Sequence, residues 1–161
     1  MLKLNLGCGD YSLDGWVNID LYNSQADLCC DARKLPYEGS SVDEIWASHL
    51  IEHLDFRQGL EALTEWYRVL RVGGKLSLET LDFIGLCGEF LRSGGDVRFF
   101  DAFFGYPWVE GSGHKFLYTE SQLRGTLEVV GFRNIVGVKP DSVGVKSGWP
   151  ESIFLKVEVF K

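Results

Sequence analysis

The sequence has few cysteines and few prolines, with four of each in 161 residues. Cys8, Cys29, Cys30 and Cys87 are too few and too irregularly spaced for a disulfide framework. Because a free cysteine behaves as a small apolar side chain, we expect four buried free thiols and no metal site. Unpaired cysteines are typical of a reducing compartment, and the sequence therefore predicts a cytoplasmic location.

Basic side chains are also scarce: 16 Lys and Arg stand against 23 Asp and Glu, which gives a net charge of −7. This excess of negative charge opposes a phosphate backbone, so DNA and RNA are disfavoured as partners. Long apolar runs are missing as well, since no segment approaches the ~18 residues that a membrane span needs. The N-terminus lacks the apolar core of a signal peptide, and we expect a soluble, unexported protein without a membrane partner.

Linkers, repeats and low-complexity blocks are absent from the sequence, and its 19 glycines are scattered as turn positions. Compact domains usually contain roughly 100–200 residues. With 45% hydrophobic residues, the chain can bury one core. The sequence therefore predicts a single domain over residues 1–161.

Short apolar alternations between turn residues predict seven strands. The predicted strands are Leu2–Leu6, Val17–Asp20, Ala26–Cys30, Val42–Ala47, Leu76–Leu81, Asn134–Val138 and Ser152–Phe160. Helical spacing begins at Phe56 and is expected to end at Gly73-Gly74. A second helix is predicted over Phe83–Arg92, and a third begins with a capping box of Thr119 and Gln122 and ends at Gly131.

Strands that alternate with helices favour an α/β sheet with mostly parallel strands, in which the last two strands form an antiparallel hairpin at one edge. Only residues 7–16 and 21–25 connect the first three predicted strands. A parallel crossover usually takes about ten to twelve residues or more. We therefore expect shortened or missing helices in the N-terminal half.

Glycines or polar residues stand at the carboxyl end of each of the first four predicted strands. They are Gly7-Cys8-Gly9, Asp20, Asp31 and Ser48-His49. Open α/β sheets bind ligands at this edge, and missing Cβ atoms let backbone N–H groups approach a ligand closely. Asp20 is placed to accept hydrogen bonds from both hydroxyls of a ribose. Asp31 is placed to accept a hydrogen bond from an exocyclic amine of a base. The set predicts a nucleoside site.

At these residues the chain resembles the class I S-adenosylmethionine-dependent methyltransferases, in particular the small type 11-like members. The matching segments are residues 4–9, Asp20, Asp31-Ala32, residues 48–54, residues 70–76, residues 114–119 and residues 130–132. The resemblance implies a Rossmann-like sheet with strand order 3-2-1-4-5-7-6 and S-adenosylmethionine as cofactor. It also implies methyl transfer to an O, N or C nucleophile of a small or peripheral acceptor. Asn5 and Tyr11 depart from the family pattern, where an acid and a glycine are usual.

The same resemblance assigns residues to parts of the cofactor. It places Gly7, Cys8 and Gly9 against the methionine and ribose, Asp20 on the ribose, Leu21 on adenine, Asp31 and Ala32 at the adenine edge, and Ser48 and His49 beside the methyl group.

His49 and His114 are the candidate catalytic residues. His49 neighbours the predicted methyl position, and His114 follows Gly111-Ser112-Gly113, whose glycines predict a mobile flap. A base is needed only for a weakly acidic hydroxyl or a protonated amine, since proximity alone can supply much of the acceleration. Either histidine could instead be a structural donor.

Two other functions stay open from the residues alone. One is a non-catalytic nucleoside-binding or partner-binding module on the same fold. The other is a zinc peptidase, because His49, Glu52 and His53 match the H-x-x-E-H string, in which two histidines one helical turn apart hold a metal. The string directly follows a predicted strand, which counts against the peptidase.

The acceptor is expected to be a small molecule, chosen by segments outside the cofactor motifs. These segments are the aromatic run Phe99–Trp108, the His114 loop and Lys139–Pro150. Because parallel sheets need cover on both faces, the missing helices predict another cover for one face. We expect loop Asp10–Trp16, the aromatic run or a second copy of the chain, as a homodimer, to provide it.

Overall fold

The sheet has seven strands in the computed structural model, which describes residues 1–138 and 149–161. The strands are β1 (Lys3–Leu6), β2 (Val17–Asp20), β3 (Leu28–Cys29), β4 (Val42–Ser48), β5 (Leu70–Leu81), β6 (Arg133–Gly137) and β7 (Phe154–Phe160). Their order is β3-β2-β1-β4-β5-β7-β6. Strands β1 to β5 are parallel, and β7 runs antiparallel to both β5 and β6. The predicted fold class and strand order are confirmed.

Four α-helices follow the strands in the described part of the chain. They are α1 (Phe56–Val69), α2 (Phe83–Arg92), α3 (Phe99–Phe104) and α4 (Glu120–Val130). Single 3-10 turns occur at Ile51–His53 and Glu151–Ile153. The capping box predicted at Thr119 is present, because its side chain accepts from the Gln122 N–H at 3.2 Å. None of these helices is long and apolar enough to cross a membrane.

The first half of the sheet has no helical crossovers within the described residues. Residues 7–16, 21–27 and 30–41 connect β1 to β4 as turns and extended segments. The expected loss of helices is therefore confirmed, and it extends to the third connection.

One face of the sheet carries the core and is covered by α1 and α4. Successive side chains of a strand point to opposite faces, so alternate residues of each strand reach this core. Trp66 of α1 is fully buried there, and its Nε1 donates to the Ala32 carbonyl at 2.9 Å. The other fully or almost fully buried members include Leu4, Leu6, Ile45, Ala47, Leu63, Leu76, Leu78, Leu123, Leu127, Val157 and Val159.

The opposite face carries a row of charged side chains, which we call the charged row: Lys3, Glu44, Lys75 and Glu158. Lys3, Glu44 and Lys75 occupy directly paired positions on β1, β4 and β5. Salt bridges of 3.0 Å, 2.9 Å and 3.4 Å join consecutive members of the row. These side chains keep 16–33% of their surface exposed. Such alternation of apolar and charged residues is usual for a sheet with one solvated face.

Loop 10–16 covers the β1–β2 part of this second face, as expected. The Asn5 side chain donates to the Tyr11 carbonyl and to Asn18 Oδ1, both at 2.9 Å. Asn18 Oδ1 also accepts from the Leu13 N–H at 2.8 Å. Asn5, which departs from the family pattern, thus ties this loop to the sheet.

Several predicted boundaries were wrong. Helix α1 ends at Val69 and not at Gly73-Gly74, because Leu70 is already extended and pairs with Val42 of β4. The residues after it then belong to β5, which is twelve residues long. Strand β3 is limited to two residues, and β7 begins at Phe154 because Glu151–Ile153 form a 3-10 turn.

The cysteines are unpaired, but they are not all buried. Cys8 is buried, Cys30 and Cys87 are partly buried, and Cys29 is exposed. The expectation of four buried thiols thus holds fully only for Cys8, and Cys29 is exposed because β3 lies at the edge of the sheet.

Replacement of Gly59 by alanine should destabilise the fold by about 1–3 kcal/mol, as overpacking in a core does. A Cβ at Gly59 would lie 2.6 Å from the hydroxyl of Tyr118, which is fully buried and cannot move away. The matched control is Gly125→Ala in α4, where a Cβ would meet nothing within 4 Å. It should stabilise by about 0.5–1 kcal/mol, because alanine is the better helix former. Urea unfolding midpoints measure both, and equal midpoints for the two variants would contradict the packing.

Candidate active site

A cleft of about 620 Å³ opens at the carboxyl ends of β1, β2 and β4. Of the nine predicted cofactor residues, seven line it: Gly7, Gly9, Asp20, Leu21, Asp31, Ala32 and His49. Within the described ranges, Cys8 and Ser48 are outside the lining, and so is His114. The predicted set therefore converges on one site, with Cys8 buried beneath the glycine turn.

The glycine turn has a backbone that other residues rarely adopt. Gly7 and Gly9 have φ angles of +65° and +48°. A Cβ at Gly7 would lie 2.8 Å from Leu50 Cδ1, whereas a Cβ at Gly9 would meet nothing within 4 Å. Gly7 is thus required by packing and backbone conformation together, and Gly9 leaves open space above the turn.

Asp20 ties the glycine turn to the loop that follows β2. Its Oδ2 accepts from the Gly9 N–H at 2.9 Å. Its Oδ1 accepts from the Tyr22 and Asn23 N–H groups at 2.8 Å and 2.9 Å. The Asn23 side chain in turn donates to the Gly9 carbonyl. One carboxylate therefore holds two walls of the cleft. Among the described residues, Oδ2 has a single partner, so it has a lone pair for a further donor.

Asp31 is paired with a cation that also lines the cleft. Arg33 Nε lies 3.0 Å from both carboxylate oxygens, and its Nη2 lies 2.6 Å from Oδ2. The hydrogen bond from Arg33 lowers the pKa of Asp31 below its usual value. Asp31 therefore stays ionised and fixed in the site.

His49 lies between two buried carboxylates at the end of β4. Its Nδ1 is 2.8 Å from Glu52 Oε1, and its Nε2 is 4.0 Å from Glu79 Oε1. Glu52 Oε2 also accepts from the Thr80 hydroxyl at 2.8 Å. The backbone of His49 has φ +53°, a conformation uncommon outside glycine, which often marks functional sites.

Burial, charge and hydrogen bonding act together on the pKa values of this pair. Burial raises the pKa of Glu52, but the hydrogen bond and charge of His49 outweigh it and bring the pKa to about 2. Burial lowers the pKa of His49, but the bond to Glu52 and the charges of Glu52 and Glu79 raise it above its usual value. Glu52 is therefore an anion that favours the imidazolium form of His49.

The zinc peptidase interpretation was wrong, because the H-x-x-E-H string does not form the helix that it requires. His49 has a left-handed backbone, and only Ile51–His53 make a single 3-10 turn. His53 Nδ1 lies 3.2 Å from the Gly113 carbonyl, while His49 binds Glu52. Among the described residues, no group of three or more His, Cys, Asp or Glu side chains could hold a metal ion.

His53 and His114 lie side by side at the end of the cleft, with ring centroids 4.9 Å apart. His53 lines the cleft, and His114 lies next to it with Nδ1 2.8 Å from the Ala102 carbonyl. Burial lowers the pKa of His114, so its ring tends to be neutral. His53 entered the sequence analysis only through the H-x-x-E-H string, so its place in the cleft was missed.

A segment that we call the roof, residues 109–112, also lines the cleft. It contains Gly111, the first of the two glycines predicted to form a flap. Gly111 has φ +79°, and a Cβ there would lie 2.3 Å from the Tyr22 ring. Tyr22 follows Asp20 and Leu21, so the roof touches the part of the cleft that follows β2.

The residues present fit S-adenosylmethionine. The volume lies within the roughly 300–1,000 Å³ of small-ligand sites. Gly9 leaves open space, Asp20 Oδ2 can accept from a hydroxyl, and Leu21 is an exposed apolar side chain at the wall. Four Asp and Glu side chains line the cleft against two Lys and Arg side chains, which suits a cationic sulfonium better than a pyrophosphate.

The strand order and the position of the cleft define a Rossmann-like sheet of the class I methyltransferase type. Residues 13–78 match the family model described as methyltransferase domain. The resemblance to class I S-adenosylmethionine-dependent methyltransferases is therefore confirmed. No curated protein matches the sequence significantly.

Solved structures with the same fold include three methyltransferases, each aligned with 99% of this chain. A protein from Methanosarcina mazei is 17% identical over 91% of its own chain, with a TM-score of 0.69. One from Thermotoga maritima is 17% identical over 82% of its chain, with a TM-score of 0.65. The 1,6-didemethyltoxoflavin-N1-methyltransferase of Burkholderia thailandensis is 12% identical over 70% of its chain, with a TM-score of 0.64. At these identities the likeness establishes the fold alone.

Several residues of the cleft were missed by the sequence interpretation. Arg33, Tyr22 and Asn23 line it, and Glu52 orients His49 from beneath. Tyr22 and Asn23 directly follow the predicted Asp20-Leu21 pair, so their position could have been inferred. Arg33 stands two residues after Asp31, but the sequence carries no signal that it turns back onto this carboxylate.

Proposed function

We propose that the protein transfers a methyl group from S-adenosylmethionine to the O, N or C nucleophile of a small-molecule acceptor. The observation that carries this proposal is the 2.9 Å bond between Gly9 and Asp20 at the carboxyl ends of β1 and β2. It joins a glycine turn that leaves room for a ligand to a carboxylate that can hold a ribose. The methyltransferase domain match over residues 13–78 supports the same function.

In this proposal, different residues of the cleft contact different parts of the cofactor. The backbone of Gly7, Cys8 and Gly9 faces the methionine and ribose, and Asp20 accepts from the ribose hydroxyls. Leu21 and Ala32 enclose the adenine, while Asp31, oriented by Arg33, faces its edge. Ser48 and His49 border the methyl position at the end of β4. When bound, the cofactor supplies an electrophilic methyl group on a sulfonium.

His49 and His114 have different tasks in the proposed reaction. His49 is held by Glu52 through Nδ1 at 2.8 Å and serves to shape the methyl site. His114 bonds the Ala102 carbonyl through Nδ1, so its Nε2 carries the lone pair of a neutral ring. His53 lies between this ring and the cleft. In this proposal, the imidazole pair of His53 and His114 takes up the proton that a hydroxyl or amine substrate loses.

A small-molecule acceptor is supported by the size of the cleft and by one protein of the same fold. The Burkholderia thailandensis enzyme was crystallised with 1,6-didemethyltoxoflavin and S-adenosylhomocysteine bound. A cytoplasmic location, the lack of nucleic-acid and membrane partners, and a homodimer remain predictions from the sequence. The acceptor-selecting stretch Lys139–Pro150 lies mostly outside the described residues, which resume at Trp149.

The proposal is tested by titration calorimetry with S-adenosylmethionine and S-adenosylhomocysteine. We expect saturable binding of one cofactor per chain, and formation of S-adenosylhomocysteine, detected by mass spectrometry, with members of a metabolite panel. Absence of binding would overturn the proposal. Binding without turnover across broad panels would favour a non-catalytic nucleoside-binding module instead.

A further inference from the structure

An exposed group of four aromatic side chains and one valine lies beside the roof of the cleft. We call this group the aromatic shelf: Phe100, Phe104, Tyr106, Trp108 and Val109. Trp108 is 75% exposed and Phe104 56% exposed. Large apolar side chains clustered on a surface commonly mark a binding site, whereas single ones need no explanation.

The shelf is built on a buried base and is therefore fixed in place. Phe99 is buried in a second, smaller core, and Phe90 packs against it and against Phe100 with centroids 6.2 Å and 6.0 Å apart. Phe100 and Phe104 stand one turn apart on α3 with their rings stacked at 6.0 Å. Phe100 and Phe104 have thus lost part of their freedom before a ligand arrives, and Tyr106 and Trp108 pack against each other with centroids 5.7 Å apart.

The shelf is continuous with the cleft. Val109 belongs to both, since it is half exposed and lines the cleft. The Tyr106 N–H donates to the Ser112 carbonyl at 2.9 Å, and the His114 N–H donates to the Phe104 carbonyl at 2.9 Å. The same short loop therefore carries exposed aromatic rings on the protein surface and the roof on the cleft side. It also carries His114, one of the two imidazoles that take up the proton of the methyl acceptor.

We propose that the shelf binds the apolar part of the methyl acceptor while its nucleophile enters the cleft. This inference rests on the proposed function and gives the substrate its class: an uncharged aromatic or aliphatic body that carries the nucleophile at one end. Each large side chain buried against such a body contributes about 1.5–3 kcal/mol when fully covered.

Charge and size argue against other occupants. The two arginines beside the shelf are already paired, Arg98 with Asp96 at 2.7 Å and Arg92 with Glu89. Asp101 and Glu110 add negative charge, so anionic headgroups have little attraction to this surface. A stable dimer interface takes about 20–30 residues a side, far more than the five of the shelf.

The test uses N-phenyl-1-naphthylamine, an uncharged apolar dye that becomes fluorescent when it is removed from water. We expect saturable binding to the wild type and an affinity about tenfold or more weaker for Phe104→Ser/Trp108→Ser. The control is Val72→Ser/Val129→Ser, which removes side chains that are 78% and 81% exposed far from the shelf and should bind like the wild type. All three proteins should bind S-adenosylmethionine equally well by calorimetry.

Other outcomes separate the competing interpretations. Equal dye affinity in the shelf variant overturns the proposal. A wild type that is a dimer in sedimentation velocity, with a shelf variant that is a monomer, also overturns the proposal. The same holds for a wild type that pellets with phosphatidylcholine vesicles but does not bind the dye. A wild type that binds the cofactor but not the dye overturns the shelf alone. One that binds the dye but not the cofactor overturns the proposed function and, with it, the occupant as acceptor.

Discussion

Replacement of Asp20 by alanine is expected to weaken the binding of S-adenosylmethionine by about 100-fold or more, or about 2.7 kcal/mol. Two losses add in this variant. The charged acceptor for the ribose hydroxyls disappears, and three backbone N–H groups, of Gly9, Tyr22 and Asn23, lose their partner. Hydrogen bonds to a charged group contribute about 1.5–3 kcal/mol each, so both loops should lose their fixed conformation.

Asp20→Asn should give a smaller effect than Asp20→Ala. The remaining amide oxygen can still accept from Tyr22 and Asn23, while the new NH₂ group faces the Gly9 N–H and repels it. Asp14→Ala, which removes an exposed acid of the neighbouring loop, is the matched control and should bind like the wild type. Calorimetry on variants with wild-type circular dichroism measures the series. Equal affinity of Asp20→Ala and wild type would place the cofactor elsewhere.

Replacement of Glu52 by alanine should destabilise the protein by about 3–5 kcal/mol, as the loss of one partner from a buried ion pair does. Glu52 has no exposed surface, and its two oxygens serve His49 and Thr80. Its removal leaves both donors without their acceptor. Glu61→Ala, which breaks exposed pairs with Arg57 and Arg33, should cost less than about 1 kcal/mol. Urea unfolding measures both, and a small loss for Glu52→Ala would contradict an ionised pair.

The same pair predicts a pH window for stability. The pKa of Glu52 falls from 4.5 to about 2 on folding, so its contribution is complete above 4.5 and is lost as the pH falls towards 2. The pKa of His49 rises above 6.5 on folding, so its contribution is complete below 6.5 and is lost as the pH rises through the folded value. The pair therefore stabilises fully between about pH 4.5 and 6.5. The difference in unfolding free energy between wild type and Glu52→Gln should peak there, and a difference that does not vary with pH would contradict it.

The sequence predicted the sheet well because its signals are local. Leu4 and Leu6 alternate before Gly7, and the resemblance then supplies the strand order that alternation alone leaves open. The end of α1 was predicted incorrectly for a physical reason. Gly73-Gly74 looked like a helix end, but pairing between Val42 and Leu70 recruits the preceding residues into β5. Long-range pairing of this kind has no local signature.

The sequence predicted the site residues whose position follows from the end of a strand. It did not predict the properties that depend on a contact with a second residue. Gly7, Asp20 and Asp31 stand at strand ends, so their convergence follows from the topology. The state of His49 depends on Glu52 and Glu79, and that of Asp31 on Arg33, all of which are contacts set by the fold. His53 and His114 are 61 positions apart in the chain, and only the folded loop brings their rings together.

The charged row has a consequence for the solubility of the protein. A parallel sheet that helices cover on both sides has two apolar faces. If such a sheet lost the helices of one side, its bare apolar face would stack against another sheet. Here Lys3, Glu44, Lys75 and Glu158 keep the outward side of four central strands hydrated and pair with each other at 2.9–3.4 Å. Stacking of two copies would strip water from four ions whose charges are already matched within the chain, and desolvation of ions is costly. Within the described residues, these hydrated ion pairs thus oppose the stacking of two copies on this face of the sheet.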